Sequence, residues 1–446
     1  MRLVAHNMII NNESLSRLFV AETQGDDMAA VSGTELDDFD PFIRGLDAGP
    51  PRDEFGDYHL MDEGRLVSGL IERAVYSEAE RRRTAEVARQ LIHAARTNRH
   101  EYAGVDAFMR EYDLSTEEGV ILMCLAESLL RVPDAETADQ LIAEKIGQGE
   151  WDRHLGHSDS LFVNASTWGL LLTGRIVKMN IPGKIGAIDA LKRLVVRSGE
   201  PVIRQAMRQA IRILGDQFVF GSSIQEALKR AEAYEKRGYM FSYDMLGEAA
   251  RTHADADRYA TRYMDALLAI AGSTGPLMTQ HPDALMRRPG LSIKLSALHP
   301  RVEPGKEFRL ASELMPTLNK LLSAAAAQGV PITIDAEEQD RMDLQAAVFA
   351  HAYMNPALNN WHGLGIAVQA YSKRAIPMLR WLRRLAERKG KRIPVRLVKG
   401  AYWDSEIKWA QERGLENYPV FTRKLHTDVS YLACIRLLQS DRKAFF

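Results

Sequence analysis

Five short apolar runs in the second half of the chain each end in polar or charged residues, and helix-like stretches separate them. The runs are MFSYDMLGE (240–248), LSIKLSALHPR (291–301), PITIDAEEQDR (331–341), GLGIAVQAYSKR (363–374) and PVRLVKGAYWD (394–404). Short buried strands that alternate with helices predict a parallel sheet, because parallel neighbours require a crossover connection. We therefore expect an α/β fold of the TIM-like (β/α)8 barrel type in this half.

The ends of these strands carry side chains that suit chemistry. In a parallel barrel the carboxyl ends of the strands line the mouth, where active sites lie. The residues at these ends are Asp244, Lys294, Asp335, Gln369, Arg396 and Lys399. A polar or charged group at the end of every strand indicates a functional site.

The patterns divide the chain into three regions. Residues 1–60 mix Asp, Gly, Pro and Ser without steady periodicity, which predicts a mostly disordered segment. Residues 61–235 show apolar spacing of three to four residues, which predicts a helical arm or packing domain. Residues 236–446 contain roughly five strands, whereas a closed barrel has about eight. The open sheet edges of an incomplete barrel lead us to expect a fragment of a longer protein.

The charge and the cysteine content exclude several classes of protein. The chain has 58 Lys and Arg residues against 59 Asp and Glu, so no basic bias points to nucleic acid. Two cysteines, Cys124 and Cys434, are too few for a disulfide framework or a cysteine-rich metal site. We find no membrane-spanning run and no secretory signal, and we expect a cytoplasmic protein.

Two of the strand-end residues allow more than one chemical role. Lys294 lies in an apolar run, where it can bind a carboxylate as a point charge or act as a Schiff-base nucleophile. Asp335 can hold a cationic amine, orient an arginine or act as a base. The neighbouring Glu337, Glu338 and Asp340 would permit a metal ion, but acidic residues at a helix start are favoured by the helix dipole. We expect no metal site.

The run RLVKGAYWD is the densest motif. Arg396 and Lys399 supply cations, Tyr402 and Trp403 supply aromatic faces, and Gly400 lets backbone approach a ligand closely. Cations beside aromatic rings suit a phosphorylated aromatic cofactor. Gln369, in AVQAY, is an amide in a strand that should be buried, and a heterocycle edge would satisfy it.

Six stretches together resemble the proline dehydrogenase domain of the bifunctional proline utilization A family. They are SYDMLGEAAR, SIKLSALHPR, TIDAEEQDR, AVQAYSKR, RLVKGAYWDSEIKWAQERG and YPVFTRKLHTD. The segment DLSTEEGVILMCLAESLLRVPDAETADQLIAEKIGQG is similar to the helical domain of that family. The similarity runs from about residue 70 to the C-terminus.

The resemblance implies a distorted (β/α)8 barrel with bound FAD that oxidises L-proline to 1-pyrroline-5-carboxylate and passes electrons to a membrane quinone. It is compatible with peripheral contact with the inner membrane and with a homo-oligomer. We recognise no DNA-binding segment of the ribbon–helix–helix kind. The final barrel strands, an arginine pair of the last helix and the aldehyde dehydrogenase half have no counterpart, so we expect little or no turnover by this chain alone.

The resemblance also implies roles for the substrate side of the site. Lys294 would pair with the proline carboxylate, and Tyr402 would line the substrate pocket. Asp335 resembles the carboxylate at the end of the third strand, and Asp244 would support the site from the first. Arg396 would contact the isoalloxazine near its reactive edge.

The same resemblance implies which residues would bind the cofactor. Gln369 would contact the isoalloxazine, and Lys399 would meet the FAD pyrophosphate. Gly400 and Trp403 would support the cofactor, and Thr422 would be a further FAD contact. Two other functions remain open: a lyase or aldolase that uses Lys294 as a Schiff-base nucleophile, and an inactive fragment that serves only for packing or oligomerisation.

Overall fold

A computed structural model gives the structure of the protein and describes residues 3–10, 52–97, 219–276 and 281–446. The strands are β1 (Leu3–Ile10), β2 (Tyr239–Met245), β3 (Gly290–Ile293), β4 (Ile332–Ile334), β5 (Leu364–Gln369) and β6 (Val395–Val398). The helices before β3 are α1 (Arg52–His59), α2 (Glu63–Arg73), α3 (Glu78–Thr97), α4 (Ile224–Glu235), α5 (His253–Thr274) and α6 (Pro282–Met286). The later helices are α7 (Leu295–Leu298), α8 (Glu307–Arg309), α9 (Met315–Gln328), α10 (Met342–Met354), α11 (Ala375–Lys389), α12 (Trp403–Glu412) and α13 (Lys424–Ser440).

The sheet has the order β1-β2-β3-β4-β5-β6, and the strands from β2 to β6 run parallel. Its register places Ile293 beside Ile334, and Ile334 beside Ile366. The crossovers between these strands contain helices, as parallel pairing requires. Five parallel strands form a curled partial barrel, which confirms the predicted fold class.

The first strand is a departure from the sequence prediction. β1 pairs with β2 in antiparallel orientation, with Val4 opposite Asp244 and Ala5 opposite Tyr243. Residues 1–60, which the sequence predicts to be mostly disordered, thus contain the strand β1 and the helix α1. Both elements depend on contacts with chain far away in sequence, so local periodicity does not reveal them. The rest of that segment lies outside the described residues.

The compact units do not follow the predicted boundaries at 61 and 235. One unit combines Leu3–Val75 with Gly221–Phe446, and the other contains Tyr76–Phe220. The helices α2 and α4 therefore belong to the barrel unit. On α4, Ala227 and Ala231 are completely buried. Of the second unit, the structure describes α3 together with the residues next to it, and residues 98–218 lie outside the described part.

The core of the barrel unit lies between the sheet and its crossover helices. All six residues of β5 are buried, and α10 is buried almost all round. The bulkiest fully buried side chains include Tyr263 on α5, Tyr353 on α10 and Trp381 on α11. No helix in the described part of the chain is long and apolar enough to cross a membrane.

A buried lysine fixes the entry into the last two strands. Lys391 donates hydrogen bonds from Nζ to the carbonyl oxygens of Leu358 (3.1 Å) and Trp361 (3.2 Å). Its ammonium lies 4.4 Å from the centre of the Tyr353 ring. No carboxylate of the described residues pairs with it. Burial, helped by the charge of Lys389, lowers the pKa of Lys391 from 10.5 to about 8.

This lowered pKa gives a prediction about stability. The unfolded chain binds the Lys391 proton more tightly than the folded chain, so the free energy of unfolding should rise with pH between about 8 and 10.5. The contribution is at most about 1.4 kcal/mol per pH unit. Denaturant unfolding of Lys391→Met across this range should show a shallower slope than wild type. Equal slopes would contradict the burial of a titrating lysine.

Candidate active site

The parallel register brings four strand ends to one edge of the sheet. Asp244 lies in β2, Lys294 directly follows β3, Asp335 directly follows β4, and Arg396 lies in β6. The backbone N–H of Asp335 donates to the carbonyl of Ile293 at 2.9 Å, which extends the β3–β4 pairing to the site. Four residues that are far apart in sequence thus meet at the barrel mouth.

Lys294 lies at the centre of three carboxylates. Its Nζ donates a hydrogen bond to Glu248 and lies 3.6 Å from Asp244 Oδ1 and 3.7 Å from Asp335 Oδ2. Tyr263 donates its hydroxyl proton to the other oxygen of Glu248 and accepts the backbone N–H of Lys294 at 3.1 Å. The ammonium is therefore fixed from several sides.

Arg396 joins the same cluster from the other side. Its Nη1 donates to Asp335 Oδ1 at 2.7 Å. Its Nη2 donates to Ser242 Oγ at 2.6 Å and to Ser292 Oγ at 2.7 Å. Asp335 therefore lies between two cations, with one oxygen facing Lys294 and the other bound to Arg396. We call Asp244, Glu248, Lys294, Asp335 and Arg396 the charged cluster.

Burial has the largest effect on the two carboxyl groups of the charged cluster whose pKa is raised, Glu248 and Asp335. It raises the pKa of Glu248 well above its ordinary value, and the ammonium of Lys294 offsets only part of this rise. Burial and the charge of Asp244 raise the pKa of Asp335 to about 6, against the opposing effects of Arg396 and Lys294. The cluster can therefore hold an exchangeable proton on a carboxyl group near neutral pH.

The protonation state of Lys294 bears on the Schiff-base alternative and on metal binding by the charged cluster. Burial alone would lower its pKa, but Glu248, Asp244 and Asp335 outweigh burial and raise it. A lysine held as an ammonium ion is a poor nucleophile, so the geometry disfavours the Schiff-base lyase. The carboxylate oxygens of Asp244, Glu248 and Asp335 lie within 4.8 Å of one another, but the Lys294 ammonium already supplies the cation there.

The acidic residues that follow Asp335 have other partners. Glu337 accepts the backbone N–H of Ser296 at 3.0 Å and a guanidinium N–H of Arg341 at 2.9 Å. Glu338 lies 3.3 Å from the same arginine. These carboxylates support the loop after β4, which is a structural use of the acidic run.

The remaining predicted residues lie outside the charged cluster. Gln369 ends β5 and accepts a hydrogen bond from Gln339 at 2.9 Å. Burial raises the pKa of Tyr402 to about 12, and the charge of Lys294 opposes this rise, so the phenol lies within electrostatic range of the cluster. Gln369 and Tyr402 therefore border the charged cluster without belonging to its ion pairs.

The residues predicted to hold the pyrophosphate and other parts of FAD form a second group, which is more exposed than the charged cluster. The side chain of Lys399 is 50% exposed and bonds to Asp428. Thr422 donates its backbone N–H and its hydroxyl to Glu63, at 3.0 and 2.9 Å. Trp403 is 40% exposed and donates to the carbonyl of Phe421 at 2.8 Å.

The backbone at Gly400, in the RLVKGAYWD motif, packs closely against the ring of Tyr371. Gly400 has φ of +131°, and a Cβ there would lie 2.5 Å from ring atoms of Tyr371. Both the backbone conformation and the space therefore require glycine at this position.

Sequence reasoning missed four residues that build the charged cluster or hold it. They are Ser242, Glu248, Tyr263 and Ser292. Strand alternation was a usable signal for the serines, since Ser242 precedes Asp244 by two positions and Ser292 precedes Lys294 by two. No local signal identifies Tyr263, because it lies on a crossover helix.

Comparisons with known proteins identify the family of this domain. Residues 227–446 match the family model described as proline dehydrogenase. The chain is 45% identical over 379 residues to the bifunctional protein PutA of Escherichia coli (strain K12), over 84% of this chain and 28% of that protein. It is 26% identical over 225 residues to proline dehydrogenase 1 of Bacillus subtilis (strain 168), over 50% of this chain and 64% of that protein.

A solved structure shows the same similarity. The structure of a mutant of proline utilization A from Bradyrhizobium japonicum superimposes with a TM-score of 0.61 at 40% identity, over 90% of this chain and 38% of that chain. The fold, the strand-end site and these matches define a proline dehydrogenase domain. More narrowly, the chain belongs to the proline utilization A family. It spans 28% of the length of the E. coli protein.

The comparisons correct one expectation. Residues 104–218 match the family model described as the DNA-binding domain of proline dehydrogenase. The expectation that the chain carries no DNA-binding segment is therefore wrong in terms of family membership. Net charge was a poor guide even at the level of the segment, because residues 104–218 contain 13 Lys and Arg residues against 16 Asp and Glu. These residues lie outside the described part of the structure.

The electrostatics of Asp335 give a prediction. Its folded-state pKa is raised above 3.8, so its contribution to stability is present below pH 3.8 and is lost as the pH rises through about 6. Carboxyl ¹³C NMR should show Asp335 titrating near pH 6. Asp244→Asn should lower that midpoint, because the charge of Asp244 raises it.

An internal control for this titration exists in the same chain. Lys399 and Lys424 bond to Asp428 and lower its pKa, so the Asp428 carboxyl should titrate below pH 3.8. Assignment by Asp335→Asn identifies the signal of interest. A midpoint for Asp335 at or below that of Asp428 would overturn the assignment of a buried, proton-holding carboxyl.

Proposed function

We propose that this domain oxidises L-proline to 1-pyrroline-5-carboxylate with FAD bound at the strand ends. The observation that carries the proposal is the charged cluster, in which Lys294, Asp335 and Arg396 meet at the mouth of a proline dehydrogenase barrel. Both charges of an amino-acid zwitterion find opposite charges there.

The chain's own residues suit the binding of proline. Lys294 supplies a point charge for the substrate carboxylate. Asp244 and Asp335 supply negative charge for the secondary ammonium group. The raised pKa of Glu248 lets it take up a proton, which weakens its hold on Lys294 and frees that ammonium for the substrate. The cluster thus exchanges internal ion pairs for pairs with the substrate.

Asp335 is suited to accept the proton that the proline nitrogen must lose. The amine nitrogen has to be deprotonated before a hydride leaves the adjacent carbon. A carboxylate with a pKa of about 6 can accept that proton near neutral pH, and Arg396 holds it in place at 2.7 Å. The buried position of Asp335 also keeps bulk water away from the reacting groups.

The donor set around the cluster fits FAD. Gln369 and Arg396 would hold the isoalloxazine, and Lys399, Gly400, Trp403 and Thr422 would hold the rest of the cofactor. Arg396 uses three of its five N–H groups in bonds to Asp335, Ser242 and Ser292, which leaves donors available. When bound, FAD supplies the acceptor for the hydride from the carbon next to the proline nitrogen.

The resemblance supports three further parts of the proposal. Electrons would pass to a membrane quinone, which requires peripheral contact of a cytoplasmic protein with the inner membrane. The protein would form a homo-oligomer. A quinone-dependent assay on vesicles and light scattering at several concentrations test these parts separately.

The central test is anaerobic reduction of the FAD-loaded chain by proline. We expect proline to bleach the flavin absorbance in a single turnover. Arg396→Met should weaken FAD binding by about tenfold to a hundredfold, because it removes charge-assisted hydrogen bonds worth about 1.5–3 kcal/mol each. Lys294→Met should instead raise the proline concentration needed for half-reduction.

Two variants keep this test specific. Arg396→Lys retains the charge and loses the fork geometry, so it should fall between wild type and Arg396→Met. Arg301→Met removes an arginine whose side chain is 60% exposed and which pairs with Glu303, and it should bind FAD as wild type does. Failure of the folded wild-type chain to take up FAD, or labelling of Lys294 by borohydride with a carbonyl compound, would reject the proposal.

A further inference from the structure

A buried chain of hydrogen bonds ends at Gln369. The backbone N–H of Arg374 donates to Ser372 Oγ at 3.1 Å. The Ser372 hydroxyl donates to Gln339 Oε1 at 2.5 Å, and Gln339 Nε2 donates to Gln369 Oε1 at 2.9 Å. The residues Ser372 and Gln339 are each 2% exposed, and Gln369 is 6% exposed. We call these bonds the amide relay.

The backbone of Gln339 is itself held firmly. Its N–H donates to Glu406 at 2.7 Å, and its carbonyl accepts a guanidinium N–H of Arg374. Arg374 in turn bonds to Asp343 at 3.1 Å. The side chain of Gln339 therefore starts from a fixed point between α12 and the loop before α11.

The hydrogens that each group carries decide which group donates and which accepts in the amide relay. Ser372 Oγ has one hydrogen, and it already accepts the N–H of Arg374. If the Gln339 amide were reversed, its NH₂ group would face that hydroxyl, and the hydroxyl hydrogen would lose the acceptor that Gln339 Oε1 provides. A buried polar hydrogen without an acceptor is costly. Gln339 therefore presents its oxygen to Ser372 and its NH₂ group to Gln369.

The same argument fixes the orientation of the side-chain amide of Gln369. Because Gln339 donates, Gln369 must present Oε1 to it, and its own NH₂ group is left for the site. Within the described part of the chain, Nε2 of Gln369 makes no hydrogen bond. The polarity of an amide at the strand end is thus set by a hydroxyl two bonds further back in the relay.

We propose that Gln339 and Ser372 are positioning residues that hold Gln369 with its N–H donors toward the flavin. The inference rests on the proposed function and adds to it the direction of one hydrogen bond. Donors aimed at the cofactor stabilise the negative charge that develops on it during reduction. A reversed Gln369 amide would present a carbonyl oxygen and oppose that charge.

The first experiment needs no cofactor. In a chain labelled with ¹⁵N-glutamine, the side-chain amide protons of Gln339 should exchange with water at least about tenfold more slowly than those of Gln369, because only the former are bonded in the relay. The variants Gln339→Met and Gln369→Met assign the signals. Ser372→Ala should speed the exchange of Gln339. Slow exchange of Gln369 with fast exchange of Gln339 would overturn the relay direction.

The second experiment measures the flavin potential in the FAD-loaded chain. Gln339→Met should weaken binding of reduced relative to oxidised flavin by about tenfold, which lowers the two-electron midpoint potential by about 30 mV. Ser372→Ala should lower it in the same direction without touching the cofactor. The double variant should match Gln339→Met alone, because Ser372 acts only through Gln339.

A matched control separates positioning from general destabilisation. Tyr353→Phe also deletes a buried hydroxyl, one that donates to the carbonyl of Lys391, and it should lower stability without moving the potential. If wild type takes up no FAD, the proposed function fails and the exchange experiment alone decides the relay. If wild type is reduced by proline but Ser372→Ala has the wild-type potential, the relay fails and the proposed function stands.

Discussion

One guanidinium group ties the site to the curvature of the sheet. Arg396 on β6 bonds to Ser242 on β2, Ser292 on β3 and Asp335 after β4. In a flat sheet β6 and β2 would lie about 19 Å apart, four strand spacings of about 4.8 Å. A single side chain cannot span that distance. These bonds therefore require the sheet to curl, and the charged cluster exists only in the curled form.

The charged cluster shows how burial and charge compete within a few ångströms. Burial raises the pKa of Asp335 and Glu248, whereas the nearby cations lower both. For Lys294 the order is reversed, because three carboxylates outweigh burial and keep it an ammonium ion. The same residues thus favour proton exchange on the carboxyl groups and disfavour nucleophilic chemistry by the lysine. This division of roles suits the oxidation of an amine better than Schiff-base chemistry.

The barrel unit also uses buried polar groups to fix its loops. Lys391 holds the segment before β5 through two carbonyl groups, and Gln345 donates to the carbonyl of Asp335 at 2.8 Å. The amide relay behind Gln369 follows the same principle, since the Arg374 N–H, the Ser372 hydroxyl and the Gln339 NH₂ group each meet an acceptor. Such networks place strand-end side chains accurately because few other arrangements satisfy every polar group.

The sequence by itself determined the parallel strand order and the strand-end residues Asp244, Lys294, Asp335 and Arg396. Apolar runs that alternate with helices require crossovers, and crossovers in one sheet bring the carboxyl ends to one edge. Only the tertiary structure decided which of these residues meet. It joined Glu248 and Tyr263 to Lys294, and it placed Lys399 on Asp428 away from the cluster. Side-chain pairing depends on sheet curvature and on helix packing, and neither property can be predicted from a local pattern of residues.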